Sequence, residues 1–131
     1  MTRVKFCGLR QKDDIAEAVA LGVDALGFVF YEPSSRCLAP EDAATLTRAV
    51  PAFLTRVGLF VNENAETIKR IFEIARLNLI QYHGEESPEF CDSVGLPYIK
   101  AFRVQQDMDI RGAMDCYPNA SGFLLDAYVK G

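Results

Sequence analysis

The chain predicts an α/β fold in which parallel strands lie beneath helices. Apolar runs of strand length recur along it, nearly every one separated from the next by a polar–apolar pattern of helix length. The runs are rich in Val, Ile, Leu and Phe and mostly lack clean alternation, as strands covered on both faces do. They span residues 3–7, 25–30, 56–61, 77–82, 98–103 and 122–126.

The segments between them carry helix punctuation. From Asp13 to Leu21, Ile15, Ala18 and Val19 share a face, and Gly22 is suited to end the helix. Pro40 opens the next, with Glu41 and Asp42 in the first turn, where the helix dipole favours acids. Asn64 can cap a third helix, whose Ile68, Ile71, Phe72 and Ala75 form an apolar stripe. Ser87-Pro88-Glu89 is a strong start and Gly95-Leu96-Pro97 a strong stop. The segment from Asp107 to Met114 is a weaker helix, interrupted by Gly112.

The expected order is therefore strand–helix repeated five times and then a sixth strand, in a single domain over residues 1–131 with no linker or low-complexity stretch. That repetition suits a (β/α) barrel or a doubly wound open sheet. A barrel needs eight strands and usually about 200 residues or more. An open sheet needs only five strands, so length leans towards it and residue chemistry has to decide.

A net charge of −4 leaves no basic patch, and nucleic acid is not an expected partner. No apolar run approaches the roughly 20 residues of a membrane span, and the start Met1-Thr2-Arg3-Val4-Lys5 is no signal peptide. A cytoplasmic protein without membrane contact is expected. Cysteines 7, 37, 91 and 116 are scattered and His83 is the sole histidine, so neither a metal site nor a disulfide framework is expected.

Cys7 and Asp126 end the first and last apolar runs, Cys7 directly before Gly8. At the tips of parallel strands a thiol and a carboxylate can face one another as base and acid. The plainer readings are a buried inert thiol and a turn-forming aspartate. Lys5, two residues before Cys7, points to the same face, favours the thiolate and is a candidate substrate contact. Arg36, in the loop Pro33-Ser34-Ser35-Arg36, can hold a carboxylate or phosphate, or simply be solvated. Gln81 and His83 straddle the end of the fourth run, where a histidine before glycine is more often structural. Lys100, inside an apolar strand, is expected to point into the sheet core or barrel interior and to need a partner, Asp126 or a substrate group, unless it snorkels to the surface. No glycine-rich phosphate loop and no G-x-S-x-G elbow occur, which weakens nucleotide-binding and hydrolase readings.

Taken together, Val4-Lys5-Phe6-Cys7-Gly8, Asp24-Ala25-Leu26-Gly27-Phe28-Val29-Phe30, Ser35-Arg36, Arg56-Val57-Gly58-Leu59-Phe60-Val61-Asn62, Gln81-Tyr82-His83-Gly84-Glu85 and Leu124-Leu125-Asp126 resemble the phosphoribosylanthranilate isomerases of tryptophan biosynthesis. The resemblance runs the length of the chain in order and spacing. It implies a (β/α)8 TIM barrel, here incomplete, with six strands and about five helices. It also implies an Amadori rearrangement of phosphoribosyl anthranilate without metal or redox cofactor. In that reading Asp126 is the general acid, Cys7 the general base, Arg36 the holder of the anthranilate carboxylate, and Gln81 and His83 lie along the mouth. The phosphate-binding loops of such barrels follow strands seven and eight. The chain is thus expected to be the N-terminal piece of a longer enzyme, its last residues Tyr128-Val129-Lys130-Gly131 opening an active-site loop. Exposed edges at the first and sixth strands predict self-association. The competing expectations are a barrel fragment without activity, and the aminoaldose isomerase of histidine biosynthesis. The latter family uses an aspartate pair, and Cys7 speaks against it.

Overall fold

The computed structural model describes residues 1–127. Its order is β1 (Lys5–Cys7), α1 (Lys12–Ala20), β2 (Ala25–Val29), α2 (Pro40–Thr47), β3 (Thr55–Phe60), α3 (Ala65–Ile74), β4 (Leu79–Tyr82), α4 (Pro88–Val94), β5 (Tyr98–Val104), α5 (Ile110–Asp115) and β6 (Gly122–Ala127). All strand pairs are parallel, and the sheet runs β1-β2-β3-β4-β5-β6 in chain order. A doubly wound sheet reverses its strand order at a switch point, and this one never reverses. The architecture is a half-barrel of six strands and five helices.

The two faces of the sheet differ. Leu26, Phe28, Phe60, Ile80, Tyr82 and Tyr98 point outward and join Ile15 and Ala18 of α1, Ala43 and Leu46 of α2, Ile68 and Ile71 of α3, and Cys91 and Val94 of α4 in one buried cluster. Tyr82 sits at its centre, edge-on to Phe90 at 6.1 Å and to Tyr98 at 5.3 Å. Alternation along each strand sends the other residues inward, and there Thr55, Leu59, Leu79, Ile99 and Leu124 are only partly covered. The apolar, non-alternating runs therefore reflect one face packed under helices except at its two edges and one facing a half-closed lumen.

Capping follows the sequence with one shift. Asn64 Oδ1 accepts the Thr67 N–H at 2.9 Å, and Ser87 Oγ accepts that of Phe90 at 3.1 Å ahead of Pro88. Gly95 ends α4 at φ 75°, a left-handed conformation open to glycine at little cost. The fifth helix starts at Ile110 rather than Asp107, because Asp109 caps it through the Gly112 N–H at 3.0 Å. Gly112 is a requirement of that cap rather than an interruption, since a Cβ there would collide with the Asp109 carboxylate. Strand β4 begins at Leu79 rather than Leu77. Leu77 still closes α3 with its N–H on Phe72 O at 3.0 Å, and Asn78 Oδ1 accepts the Arg56 N–H at 2.8 Å. Among the described residues, no helix is long and apolar enough to cross a membrane.

Candidate active site

The strand register assembles the mouth of the half-barrel from inward-facing residues. Cys7 stands level with Gly27 on β2, and a Cβ at Gly27 would lie 2.9 Å from the Cys7 sulfur. Glycine at 27 is what gives the thiol its room. After Cys7 the chain turns through Gly8 at φ 81°, while the Gly8 and Leu9 N–H groups both donate to Gly27 O, at 3.0 and 3.2 Å. Arg36 lies across this turn: a Cβ at Gly8 would strike its Cδ, and Nη1 reaches Cys7 O at 3.5 Å. The loop from Tyr31 to Leu38 thus delivers the guanidinium next to Cys7 with no acidic partner among the described residues, free to take an anionic group.

On the opposite side β6 carries Asp126 level with Arg103 of β5. Asp126 Oδ2 lies 3.3 Å from His83 Nε2, and His83 Nδ1 lies 3.0 Å from the amide nitrogen of Gln81. Gln81 and His83, two apart at the end of β4, share the inward face, and the strand order brings them to Asp126 across β5. An amide NH2 donates to Nδ1, so the neutral imidazole carries its proton on Nε2 and offers it to the carboxylate. The Gln81 side chain is buried, that of His83 is 18% exposed and that of Asp126 49%. The Asp126 carboxylate stays open to the mouth while its two partners are shielded.

Cys7 and Asp126 stand on β1 and β6, the two edges of the sheet, both inward. The structure joins Cys7 with Arg36 and Asp126 with His83 and Gln81. Lys5 faces inward with Cys7 as expected, but it lines a groove with Arg3, Thr55, Leu79 and Ile99 at the N-terminal ends of the strands, away from the mouth.

Of the alternatives for Lys100, burial in the sheet core with a partner holds, and the lumen, Asp126 and the surface do not. Lys100 pairs in register with Tyr82 and Phe123 and so points to the helix side of the sheet, not into the lumen, and it meets neither Asp126 nor the surface. Its Nζ lies 3.4 Å from Glu86 Oε1 and donates to the carbonyls of Gly84 at 2.6 Å, Ala101 at 3.2 Å and Tyr82 at 3.5 Å. Glu86, which sequence reasoning missed, takes the N–H of Gly84 on Oε1 at 2.9 Å and that of Asn62 on Oε2 at 2.8 Å. Asn62, at φ 50°, accepts the Glu85 N–H at 2.9 Å, and Tyr117 OH donates to Glu86 O at 2.5 Å. A buried ion pair with every charge hydrogen-bonded thus fixes the loop that begins at His83. The only sequence signal for it was a lysine in an apolar strand. Burial, with the Glu86 charge adding to it, pushes the Cys91 thiol up to about 12, and burial, then Cys91 and Glu86, do the same to the Tyr117 hydroxyl. In front of this pair a cleft of about 450 Å³ opens between His83, Glu85, Phe102 and Arg103.

Residues 4–131 match the family model of N-(5'-phosphoribosyl)anthranilate (PRA) isomerase. The chain belongs to the PRA isomerase family. It is 44% identical over 99% of its length to the N-(5'-phosphoribosyl)anthranilate isomerase of Dechloromonas aromatica and 48% identical, also over 99%, to that of Ralstonia nicotianae. It covers 62% and 58% of those two proteins, so the chain spans about three-fifths of the curated relatives it matches. Among solved structures it is similar to a phosphoribosyl anthranilate isomerase in complex with reduced 1-(o-carboxyphenylamino)-1-deoxyribulose 5-phosphate. That likeness has 40% identity and a TM-score of 0.91, over 98% of this chain and 66% of the other. PRA isomerase membership agrees with the half-barrel and does not favour the histidine-pathway reading. The expectation about residues 128–131 lies outside the described residues.

Proposed function

We propose that the protein carrying this chain converts N-(5-phosphoribosyl)anthranilate to 1-(2-carboxyphenylamino)-1-deoxyribulose 5-phosphate. The observation that carries this reading is an inward thiol and an inward carboxylate on the two edge strands of one half-barrel, both at its C-terminal mouth. Asp126, as the acid, gives its proton to the furanose ring oxygen. The C1–O bond breaks, the anthranilate nitrogen lone pair closes a C1=N bond, and the ring oxygen leaves as the C4 hydroxyl. Cys7, as thiolate, takes the proton from C2, and those electrons form the C1–C2 enolamine. Tautomerisation to the ketone completes an isomerisation with no net change in atoms or oxidation level.

Arg36, beside Cys7 and without an acidic partner among the described residues, can take the anthranilate carboxylate through two parallel N–H donors. Gln81 and His83 line the acid side. The PRA isomerase relative bound to a reduced form of the product supports the substrate class. Cys7→Ala tests the reading: the expected result is a loss of turnover of about 10²-fold or more with substrate binding retained. Unchanged turnover removes Cys7 from the mechanism.

Self-association is part of the proposal. Phe6 on β1 and Leu125 on β6 leave 38% and 53% of their surface exposed along the sheet edges, and a similar enzyme from Thermotoga maritima is described as dimeric. Light scattering on the purified chain should give at least twice the monomer mass, and a monodisperse monomer contradicts it.

A further inference from the structure

The mouth contains a buried amide satisfied at one end only. Gln81 is 2% exposed, its nitrogen is bonded to His83 Nδ1 at 3.0 Å, and its Oε1 has no hydrogen-bond partner among the described residues. A buried acceptor left unpaired is costly, and an amide offers a remedy that few groups have. Rotation by half a turn exchanges its NH2 and its oxygen at the same place. The orientation seen pairs with a neutral imidazole protonated on Nε2, which points at Asp126 Oδ2 3.3 Å away. The reversed orientation puts Oε1 on Nδ1 and pairs only with an imidazole protonated there.

We propose that Gln81 is a positioning residue for proton loading of the His83–Asp126 pair, turning its amide when the pair takes up one proton. In the unloaded state Asp126 is a carboxylate, His83 bears Nε2–H, and the amide NH2 donates to Nδ1. Uptake of one proton from water places it on Nδ1, where Oε1 of the turned amide accepts it. The Nε2 proton can then pass to Asp126, leaving a neutral imidazole with Nδ1–H and a carboxylic acid facing the substrate. Once Asp126 has given that proton away, exchange with water returns His83 to the Nε2–H form. Atoms and charge balance with water as the only co-reactant. The inference rests on the reading of Asp126 as the acid only in its last step, and the loading itself is independent of turnover.

The charged groups around His83 set the background against which it titrates. Asp126 faces it from β6, Arg103 from β5, and Glu85 and Glu86 from its own loop, with Lys100 behind the sheet and Glu63 beyond the tip of β3. None of these except Asp126 contacts the ring through a hydrogen bond.

His83 is the sole histidine, so one imidazole signal reports the whole device. Nitrogen-15 NMR of the unsubstituted chain should show the neutral ring protonated on Nε2 at alkaline pH and on both nitrogens below its midpoint. Gln81→Glu, whose carboxylate accepts Nδ1–H permanently, should raise that midpoint by about one pH unit or more, a tenfold change in proton affinity. Gln81→Leu, which neither donates nor accepts, should lower it and mix the two neutral tautomers. Asp126→Asn, at a half-exposed position, should lower it with Gln81 intact. A neutral ring protonated on Nδ1 in the unsubstituted chain overturns the proposal, as do midpoints that stay put in Gln81→Glu and Gln81→Leu. The loading read by NMR and the isomerisation read by the turnover assay fail separately. Imidazole shifts as expected without turnover would count against the proposed reaction and not against the Gln81 device.

Discussion

On the β4–β6 side of the mouth every functional group is tied to another. Asp126 meets His83, His83 meets Gln81, and the loop leaving His83 is fixed from behind by the Lys100–Glu86 pair. On the β1–β2 side Cys7 and Arg36 share one long contact of 3.5 Å, and the room for them comes from the backbone: the left-handed turn at Gly8 and the missing side chain at Gly27, with Arg10 and Ser34 bonded only to the loop that carries Arg36. One half of the site is positioned by a hydrogen-bonded network, the other by open space. The difference suits the two tasks proposed for Asp126 and Cys7. A carboxylate that must be protonated at neutral pH needs partners that govern its proton, whereas a thiolate needs access to carbon and little else. It also teaches where damage spreads: on the acid side through shared partners, on the base side only locally.

The comparison breaks most visibly at Glu86. Replacing it by Ala leaves the Lys100 ammonium buried at 3% exposure without its carboxylate, and Asn62 and Gly84 lose their acceptor. A loss of about 3–5 kcal/mol in urea unfolding is expected. The double variant Glu86→Leu with Lys100→Met should lose clearly less than the two single losses together. Simple additivity would show that the two charges are not coupled. Arg36→Ala on the other side should change stability by no more than about 0.5 kcal/mol while weakening substrate binding.

Gly8→Ala sharpens the contrast from the base side. The left-handed φ and the collision with Arg36 together should cost about 1–3 kcal/mol and displace the guanidinium, raising KM. An unaltered KM would mean that Arg36 is not held by the Gly8 turn. A smaller effect belongs to the layer behind the acid side. Cys91, ordinarily near 9.0, is held up at about 12. Below pH 9 the thiol is protonated in both folded and unfolded chains and adds no pH dependence. Above it the unfolded chain releases the proton first, so stability should fall by up to about 1.4 kcal/mol per pH unit. In alkylation at pH 8, exposed Cys116 should react before buried Cys91, and the reverse order would place Cys91 outside the core.

The parts of this molecule legible beforehand were those set by local chemistry. Asn64 and Ser87 could be read as caps because a cap needs only its own side chain and the next turn. Asp109 was not read as a cap because nothing local showed that Gly112 makes room for its carboxylate. Gln81 and His83 could be placed on one face by their spacing, but their meeting with Asp126, 43 residues beyond His83, follows from strand order rather than from either segment. Lys100 was left between the sheet core and the lumen for a similar reason. Alternation puts it with Tyr98 and Phe102, yet which face of a strand looks into the lumen is decided by the helices and not by the strand. Glu86, its partner, stands 14 residues earlier in a loop, where a glutamate before Ser-Pro looks like any solvated charge.

The central claim is that Asp126, in the setting made by His83 and Gln81, is the acid that opens the sugar ring. The most direct test follows the loss of anthranilate fluorescence as phosphoribosyl anthranilate is converted, in the protein carrying this sequence and in its Asp126→Asn variant. The account predicts turnover in the first and a drop of about 10²–10⁴-fold in the second, with substrate still bound. Equal rates in the two proteins would contradict it.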